Sequence, residues 1–274
     1  MNLHLPSTKL LFLTTITVFL IYIPASAFAA DDRFLNCSRL ISCGDVQNIG
    51  YPFWGWSRPE YCGFPGFELS CSDDHLLVIR IMDLSYQVIR IDNQSQSLTV
   101  ARLDYLENLC PNLLFNTTLN TTLFSFSSDK EDVRLYYNCS LPTSAANVGL
   151  PFEFRCDING TDDLLGYFMM GLTPDVVSAV LGSCENSVII PANRSLLINQ
   201  SSDNLVNVLR AGFGLTWSAN NTWCQHCEAI GGRCGFNNTS TCFCENQICD
   251  QMVNESIPKG IYLLFLLLSL LEKF

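Results

Sequence analysis

The chain has 274 residues, of which 48% are hydrophobic and 15% are charged. This composition can bury a core, which excludes a wholly disordered chain. The formal net charge of −11 argues against a nucleic-acid binder, which needs a basic face. Only three histidines are present, so the chain has little material for histidine-dependent catalysis.

The first residues have the pattern of a secretory signal peptide. Lys9 precedes an apolar run over residues 10–23, and Ala27-Phe28-Ala29 offers small residues for cleavage. A membrane anchor is the alternative, but 14 apolar residues are few for spanning about 30 Å of hydrocarbon. We therefore predict a signal peptide over residues 1–29, and its removal with Lys9 leaves a net charge of −12.

Cysteines divide the remaining chain into two groups with a sparser stretch between them. A secreted chain with an even number of cysteines is typical of a disulfide framework, whose pairing the spacing does not fix. Zinc binding or redox activity at Cys224-x-x-Cys227 is the alternative, but the secretory route oxidises free thiols. We expect no metal and structural disulfides throughout: Cys37, Cys43, Cys62, Cys71, Cys110, Cys139, Cys156, Cys184, Cys224, Cys227, Cys234, Cys242, Cys244 and Cys249.

Twelve Asn-x-Ser/Thr sequons support the same extracellular location. The sequons at Asn36 and Asn138 contain a cysteine, and the adjacent Asn237 and Asn238 are too close to carry a glycan each. The candidate glycosylation sites are Asn36, Asn93, Asn116, Asn120, Asn138, Asn159, Asn193, Asn199, Asn220, Asn237, Asn238 and Asn254.

Short β-branched runs predict a mainly β fold with a few short helices. Residues 77–81, 86–91 and 98–103 predict an antiparallel meander. Arg80, Arg90 and Arg102 would be polar, outward positions on half-buried strands, and a binding stripe is the alternative. Residues 134–139 and 152–156 each predict a strand that ends at a cysteine. Helix start and stop signals occur at residues 173–182 and again between Ser202 and Gly212.

The end of the chain is apolar over residues 261–271. As a helix, 11 residues would cover about 17 Å, roughly half of a bilayer core. A truncated membrane helix, a short apolar tail on a secreted protein and a GPI signal all remain open.

The segment over residues 51–64 contains six aromatic residues among its fourteen, together with two prolines and two glycines. Aromatic faces beside polar donors suit sugar rings, whereas a small aromatic core against disulfides is the alternative. Tyr51 and Phe53 are the core candidates in this segment. The candidate polysaccharide-binding residues, which we expect at the surface, are Trp54, Trp56, Arg58 and Tyr61.

Carboxylates near these aromatic residues raise the possibility of a glycoside hydrolase, which needs two carboxylates facing a cleft. The neighbouring acidic residues are Glu60, Glu68, Asp73 and Asp74. No spacing distinguishes a pair among them, so we predict that the chain is not an enzyme.

Two sets of motifs resemble a known family. Cys37, Cys43-Gly44, residues 49–54 and Cys62-Gly63 resemble the galacturonan-binding domain of plant wall-associated receptor kinases. Residues 212–217, Cys224-x-x-Cys227, residues 231–235 and 242–244 resemble the C-terminal cysteine-rich module of the same ectodomains. The two modules in this order resemble leaf-rust-resistance-type receptor-like kinases. Kinase motifs, namely the Gly-rich phosphate loop, the catalytic loop and DFG, are absent from the sequence.

The resemblance implies two small disulfide-rich modules. We predict a galacturonan-binding-like module over residues 30–109 and a glycosylated linker over residues 110–134. The C-terminal wall-associated-kinase-like module would follow over residues 135–250, and the apolar tail over residues 257–274.

The resemblance also implies a non-catalytic, receptor-like function at the plant cell wall, with pectin as the partner. The net charge would repel a polygalacturonate chain, so local pairing by Arg58, Arg39 or Arg80, or calcium bridging carboxylates on both sides, would be needed. The alternative is a decoy or co-receptor for a protein or peptide ligand, with a related receptor kinase as a partner. We expect a secreted, cell-wall location, with the apolar tail as a possible membrane attachment.

Overall fold

A computed structural model describes residues 32–140, 152–158, 160–170, 184–197, 202–245 and 249. The predicted signal peptide, the predicted helix over residues 173–182 and the apolar tail lie outside these residues. None of the helices in the described part of the chain has the length and apolarity needed to cross a bilayer.

Strands dominate the described chain, which confirms the predicted fold class. The strands are β1 (Ile41–Cys43), β2 (Val46–Ile49), β3 (Leu69–Cys71), β4 (Leu77–Ile81), β5 (Leu84–Asp92), β6 (Ser97–Arg102), β7 (Phe124–Phe126), β8 (Lys130–Cys139), β9 (Phe152–Ile158), β10 (Thr161–Met170), β11 (Cys184–Asn193), β12 (Phe213–Trp217), β13 (Arg233–Asn237) and β14 (Thr239–Phe243). The helices are α1 (Asp32–Ser38), α2 (Ser202–Ala211) and α3 (Asn221–Ala229). Short 3-10 turns occupy Glu60–Cys62, Leu103–Tyr105 and Arg194–Leu196.

Two antiparallel sheets organise these strands. The first has six strands in the order β3-β4-β5-β6-β12-β7, and the second has four in the order β11-β8-β10-β9. Separate hairpins join β1 to β2 and β13 to β14. The predicted meander is confirmed as β4–β6, and the predicted strands before Cys139 and Cys156 are confirmed as β8 and β9.

Strand β12 links the late part of the chain to the first sheet. Leu215 pairs with Leu98 of β6 on one side and with Phe126 of β7 on the other. The predicted helix before it is confirmed as α2, which ends directly before Gly212. Gly212 has a φ of +77°, and a Cβ there would lie 2.3 Å from the carbonyl oxygen of Val100, so glycine is required.

The outward placement predicted for Arg102 was wrong, whereas Arg80 and Arg90 are exposed as expected. Arg102 is only 2% exposed and donates from Nη2 and Nε to the carboxylate of Asp104, at 2.6 and 3.0 Å. Its Nη1 donates to the carbonyl oxygen of Phe115 (2.7 Å) and to Oγ1 of Thr117 (3.2 Å). A buried guanidinium is stable only when it is paired in this way. Arg102 therefore ties Phe115 and Thr117, in the predicted linker over residues 110–134, to the end of β6.

The predicted domain boundaries remain a prediction, and two features bear on them. The proposed linker over residues 110–134 contains β7, which belongs to the six-stranded sheet, and the first residues of β8. In addition, the disulfide between Cys110 and Cys156 ties the start of that stretch to β9. The chain therefore passes between the two sheets more than once.

Candidate polysaccharide-binding site

Residues 51–64, which we call the aromatic turn, lead from β2 toward β3. Gly55 and Arg58 exchange two backbone hydrogen bonds of 2.8 and 2.9 Å, which close a tight turn with Trp56 at its tip. Gly55 has a φ of +97°, and a Cβ there would lie 2.2 Å from the carbonyl oxygen of Leu69. Only glycine fits this position, so the turn is held tightly against β3.

The four predicted surface residues differ in their exposure. Trp56 is 63% exposed. Trp54 is half-buried and donates from Nε1 to the carbonyl oxygen of Phe64 (3.0 Å). Tyr61 is also half-buried: its hydroxyl accepts from Nδ2 of Asn36 (2.8 Å), and its ring packs edge-on against Phe243. Of the three aromatic side chains, Trp56 therefore presents the most surface to a ligand.

The surface position predicted for Arg58 was wrong, because its side chain is only 4% exposed. Nη1 donates to the carbonyl oxygen of Arg39 (3.0 Å) and Nη2 to that of Cys62 (2.7 Å). Burial lowers the pKa of Arg58 to about 10, an effect that the charge of Glu228 opposes and that of Arg233 reinforces. The guanidinium is still charged at neutral pH, but it is committed to holding the turn.

The core predictions for this segment hold for Phe53, which is fully buried between Phe67 and Trp217. Tyr51 is partly buried, packs against the core and donates from its hydroxyl to the carbonyl oxygen of Ala219 (2.7 Å). Burial raises the pKa of Tyr51 far above its usual range, so this phenol remains a neutral donor.

Arg58 of the aromatic turn has three further arginines on the segments that pack against the turn: Arg33 and Arg39, in and just after α1, and Arg233 on β13. The guanidinium of Arg33 lies 5.9 Å from the ring centre of Phe243, and that of Arg233 lies 5.1 Å from the ring centre of Phe34. Nε of Arg233 also donates to Oγ of Ser38 (3.1 Å). We call Arg33, Arg39, Arg58 and Arg233 the arginine cluster.

Sequence reasoning proposed Arg39 and Arg58 for local pairing but missed Arg33 and Arg233. Arg233 comes from β13, some 175 residues further along the chain than Arg58, and no local pattern brings the two together. The third proposed cation, Arg80, lies instead in β4, where its Nε donates to the carbonyl oxygen of Met82 in the β4–β5 turn (3.3 Å).

Comparisons with known proteins match the two parts of the chain that frame this site. Residues 37–102 match the family described as wall-associated receptor kinase galacturonan-binding, and residues 156–247 match wall-associated receptor kinase C-terminal. The chain combines both modules of the wall-associated receptor kinase ectodomain.

Relatives that match most of this chain come from Arabidopsis thaliana. Leaf rust 10 disease-resistance locus receptor-like protein kinase-like 2.1 is 33% identical over 90% of this chain and 39% of its own length. The receptor-like protein kinase-like 2.5 of the same series is 29% identical over 88% of this chain and 38% of its own length. The receptor-like protein kinase-like 1.2 is 31% identical over 84% of this chain and 35% of its own length. The chain therefore spans less than two-fifths of these relatives. No solved structure matches it.

The wall-associated receptor kinase modules map onto the fold in an informative way. The galacturonan-binding module contains the aromatic turn and β1–β6, and the C-terminal module contains the end of β9 and all of β10–β14. Both modules are of receptor ectodomain type, which implies an extracellular location, and neither is a catalytic domain. The aromatic turn contacts the C-terminal module directly, because Phe64 packs against Phe236 at 5.2 Å and Tyr61 against Phe243 at 6.0 Å.

Disulfides brace both modules, and the prediction that all fourteen cysteines are cross-linked is confirmed. The pairs are Cys37–Cys62, Cys43–Cys71, Cys110–Cys156, Cys139–Cys184, Cys224–Cys234, Cys227–Cys242 and Cys244–Cys249. Cys224 and Cys227 therefore do not pair with each other as a redox motif would require. Cys224, Glu228 and Cys234 lie close enough to share a metal ion, but the two sulfurs are bonded to each other and offer no thiolate.

The sequon asparagines differ in their surroundings. Nδ2, the atom to which a glycan attaches, donates a hydrogen bond to Tyr61 in Asn36, to Asp129 in Asn193 and to Ser240 in Asn220. Asn93, Asn116, Asn237 and Asn238 are exposed, as is Asn220, whereas Asn120 and Asn138 are half-buried. Asn159, Asn199 and Asn254 lie outside the described residues. Glycosylation of all twelve remains a prediction.

Proposed function

We propose that this chain binds galacturonan-type wall polysaccharide outside the cell, without catalysis, through the aromatic turn and the arginine cluster. The observation that carries the proposal is the position of Trp56, an exposed aromatic ring inside the module that matches the galacturonan-binding family. A flat aromatic face offers an apolar surface to the C–H face of a sugar ring.

Galacturonan carries a carboxylate on each sugar, so a binding site for it needs local positive charge. The arginine cluster supplies this charge in a chain whose net charge is −11. Repulsion from distant acidic residues is screened over roughly 8 Å at physiological ionic strength. Arg33 and Arg39 are the exposed members of the cluster and are the residues that we expect to contact carboxylates.

Arg58 has a positioning role in this proposal. It ties the turn to the carbonyl oxygens of Arg39 and Cys62, and so it fixes the turn that carries Trp56 against the segment that carries Arg39. Trp54 and Tyr61 support the turn through their hydrogen bonds and present only part of their rings. Calcium, bridging sugar and protein carboxylates, would add affinity beside the arginines.

The aromatic contribution is tested by calorimetric titration of oligogalacturonate into the secreted full chain and its variants. Trp56→Ala should weaken binding at least about tenfold, because it removes a stacking surface that each bound chain would use. Leu113→Ala is the matched control, because Leu113 is also 63% exposed and lies outside the aromatic turn. Equal affinities for the two variants would contradict the proposed site.

The charge contribution is tested by comparing Arg39→Gln with Arg90→Gln, since both remove one exposed positive charge. Arg39→Gln keeps the backbone carbonyl that Arg58 uses, and it should reduce affinity several-fold and weaken the salt dependence. Arg90→Gln should leave both unchanged. If wild-type protein is folded and oxidised but binds no galacturonan with or without calcium, a protein or peptide ligand becomes the favoured alternative.

A further inference from the structure

A second concave site lies between the start of the aromatic turn, the β5–β6 turn and helix α3. This cleft has a volume of about 370 Å³, within the range of small-molecule sites. Six carboxamide side chains line it, and we call it the amide cleft: Asn48, Asn93, Gln94, Gln96, Asn221 and Gln225.

The charge of the amide cleft differs from that of the arginine cluster. Among its lining residues only Glu228 is charged, so the cleft has no cation to pair with a uronate carboxylate. A carboxamide offers two donors and one acceptor oxygen, which matches hydroxyl groups that both donate and accept. Leu40 and Tyr51 add apolar surface for the C–H groups of a sugar ring.

The polar groups of the cleft are available to a ligand. Across the described residues, no hydrogen bond occupies the side-chain amides of Gln94, Gln96 and Gln225. Trp217 also forms part of the wall, but its indole N–H is buried beneath the surface and is not among the groups that a ligand would reach.

We propose that the amide cleft binds a neutral, hydroxyl-rich ligand, namely a neutral saccharide unit. This proposal does not depend on galacturonan binding at Trp56, because the two sites use different side chains, and one favours an anionic ligand and the other a neutral one. A peptide ligand is less favoured, since the cleft offers side-chain amides and not the free strand edge that extended peptides commonly use.

Titration of neutral oligosaccharides (cello-, xylo- and galacto-oligosaccharides) into the secreted full chain tests the proposal. At least one of these sugars should bind to the wild-type protein. The double variant Gln94→Ala/Gln225→Ala should bind the same sugar about tenfold more weakly, because two hydrogen bonds are lost. His226→Ala, on the same helix but outside the cleft, and Gln47→Ala should bind like wild type. The double variant should keep its affinity for oligogalacturonate, and Trp56→Ala should keep its affinity for the neutral sugar.

A glycan attached at Asn93 would stand at the rim of the cleft, so the titration is repeated with Ser95→Ala. This change removes the sequon but retains the Asn93 amide. Absence of neutral-sugar binding in both forms would overturn the proposal, as would equal affinities for wild type and the double variant. Binding of a neutral peptide that depends on Gln94 and Gln225, without any sugar binding, would also overturn the saccharide assignment.

Discussion

The six-stranded sheet and the C-terminal segment over residues 221–249 reach stability by different routes. The sheet packs 19 buried residues into one core, most of them aliphatic or aromatic, with a single disulfide, Cys43–Cys71, inside that core. The C-terminal segment, by contrast, has a core built from six cysteines, joined in three disulfides. The aromatic turn lies where the two regions meet, so the candidate site depends on both.

This contrast between an apolar core and a disulfide core explains how a rigid site can form where short strands, turns and a short helix meet. Apolar burial gives the sheet its stability and fixes the base of the turn at Phe53 and Phe67. Cross-links replace burial in the C-terminal segment, where helix α3 buries only Cys224 and Cys227. Four predictions test this contrast, ordered from the largest expected effect to the smallest.

Removal of a core ring should affect the sheet most strongly. Phe67 is fully buried and contacts the rings of Phe53, Phe64 and Phe124. Phe67→Ala should lower the free energy of unfolding by about 3–5 kcal/mol, measured by urea denaturation. Phe115→Ala, at a ring that is 53% exposed, should change it by less than about 0.5 kcal/mol. Similar losses for both variants would show that the sheet does not depend on this core.

Removal of one disulfide should act locally in the C-terminal segment. Cys227→Ala/Cys242→Ala should cost about 2–5 kcal/mol and expose residues 221–244 to limited proteolysis. Oligogalacturonate binding should also weaken, because Phe243, next to Cys242, supports Tyr61. Cys43→Ala/Cys71→Ala is the comparison, and it should leave the sheet resistant to protease because its apolar core remains. If the protease cleaves the C-terminal segment of the first variant no faster than the sheet of the second, the two regions do not differ in their dependence on disulfides.

The buried ion pair of Arg102 gives the sheet a polar anchor. Asp104→Asn should destabilise the protein by about 1–3 kcal/mol, because the guanidinium of Arg102 has only 1% side-chain exposure and would lose its counter-charge. Asp132→Asn removes the more exposed pair with Lys130 and should cost no more than about 1 kcal/mol. Thermal denaturation of the two variants provides the measurement, and equal shifts in Tm would argue against the anchor.

A buried tyrosine should make the sheet sensitive to alkaline pH. Burial raises the pKa of Tyr86 from its usual value of 10.0 to about 12, and its hydroxyl has no partner among the described residues. The stabilisation from the neutral phenol is complete below pH 10 and is lost as the pH rises through about 12. Arg58, whose lowered pKa is about 10, acts in the opposite direction over the same range, but burial also raises the pKa values of Tyr51, Tyr105 and Tyr137, which adds to the alkaline loss.

Tyr86→Phe therefore should be neutral or stabilising by up to about 1 kcal/mol at pH 7, and it should flatten the loss of stability above pH 10. Tyrosinate absorbance during an alkaline titration identifies the group directly. A steep alkaline loss that is unchanged in Tyr86→Phe would assign the effect to other residues, with Tyr105 the next candidate because burial also raises its pKa to about 12.

The sequence predicted the elements that a local pattern marks. Alternating β-branched residues indicated β4–β6, and Gly212 indicated the end of α2. Helix α3 was missed because its buried positions are two cysteines three residues apart, which suggested a metal or redox motif instead of a helix face. Strand β12 was missed as a sheet partner, since its pairing with Leu98 joins residues more than 100 positions apart.

For the candidate site, the sequence indicated the aromatic segment but not the role of each side chain. Exposed Trp56 and buried Arg58 lie two residues apart, and their difference follows from the tight turn at Gly55 and from carbonyl oxygens supplied by Arg39 and Cys62. The contribution of Arg233 depends on the fold of the C-terminal segment against α1. Such long-range contacts leave no periodic signal in a single sequence.

The most direct test of the central claim uses the indole N–H signals of the four tryptophans. These signals, assigned by single Trp→Phe variants, are followed by NMR while oligogalacturonate is added to labelled protein. We predict a saturable shift at Trp56 and little change at Trp217, which is buried behind the turn. Saturable binding that leaves Trp56 unshifted would contradict the assignment of galacturonan binding to the aromatic turn.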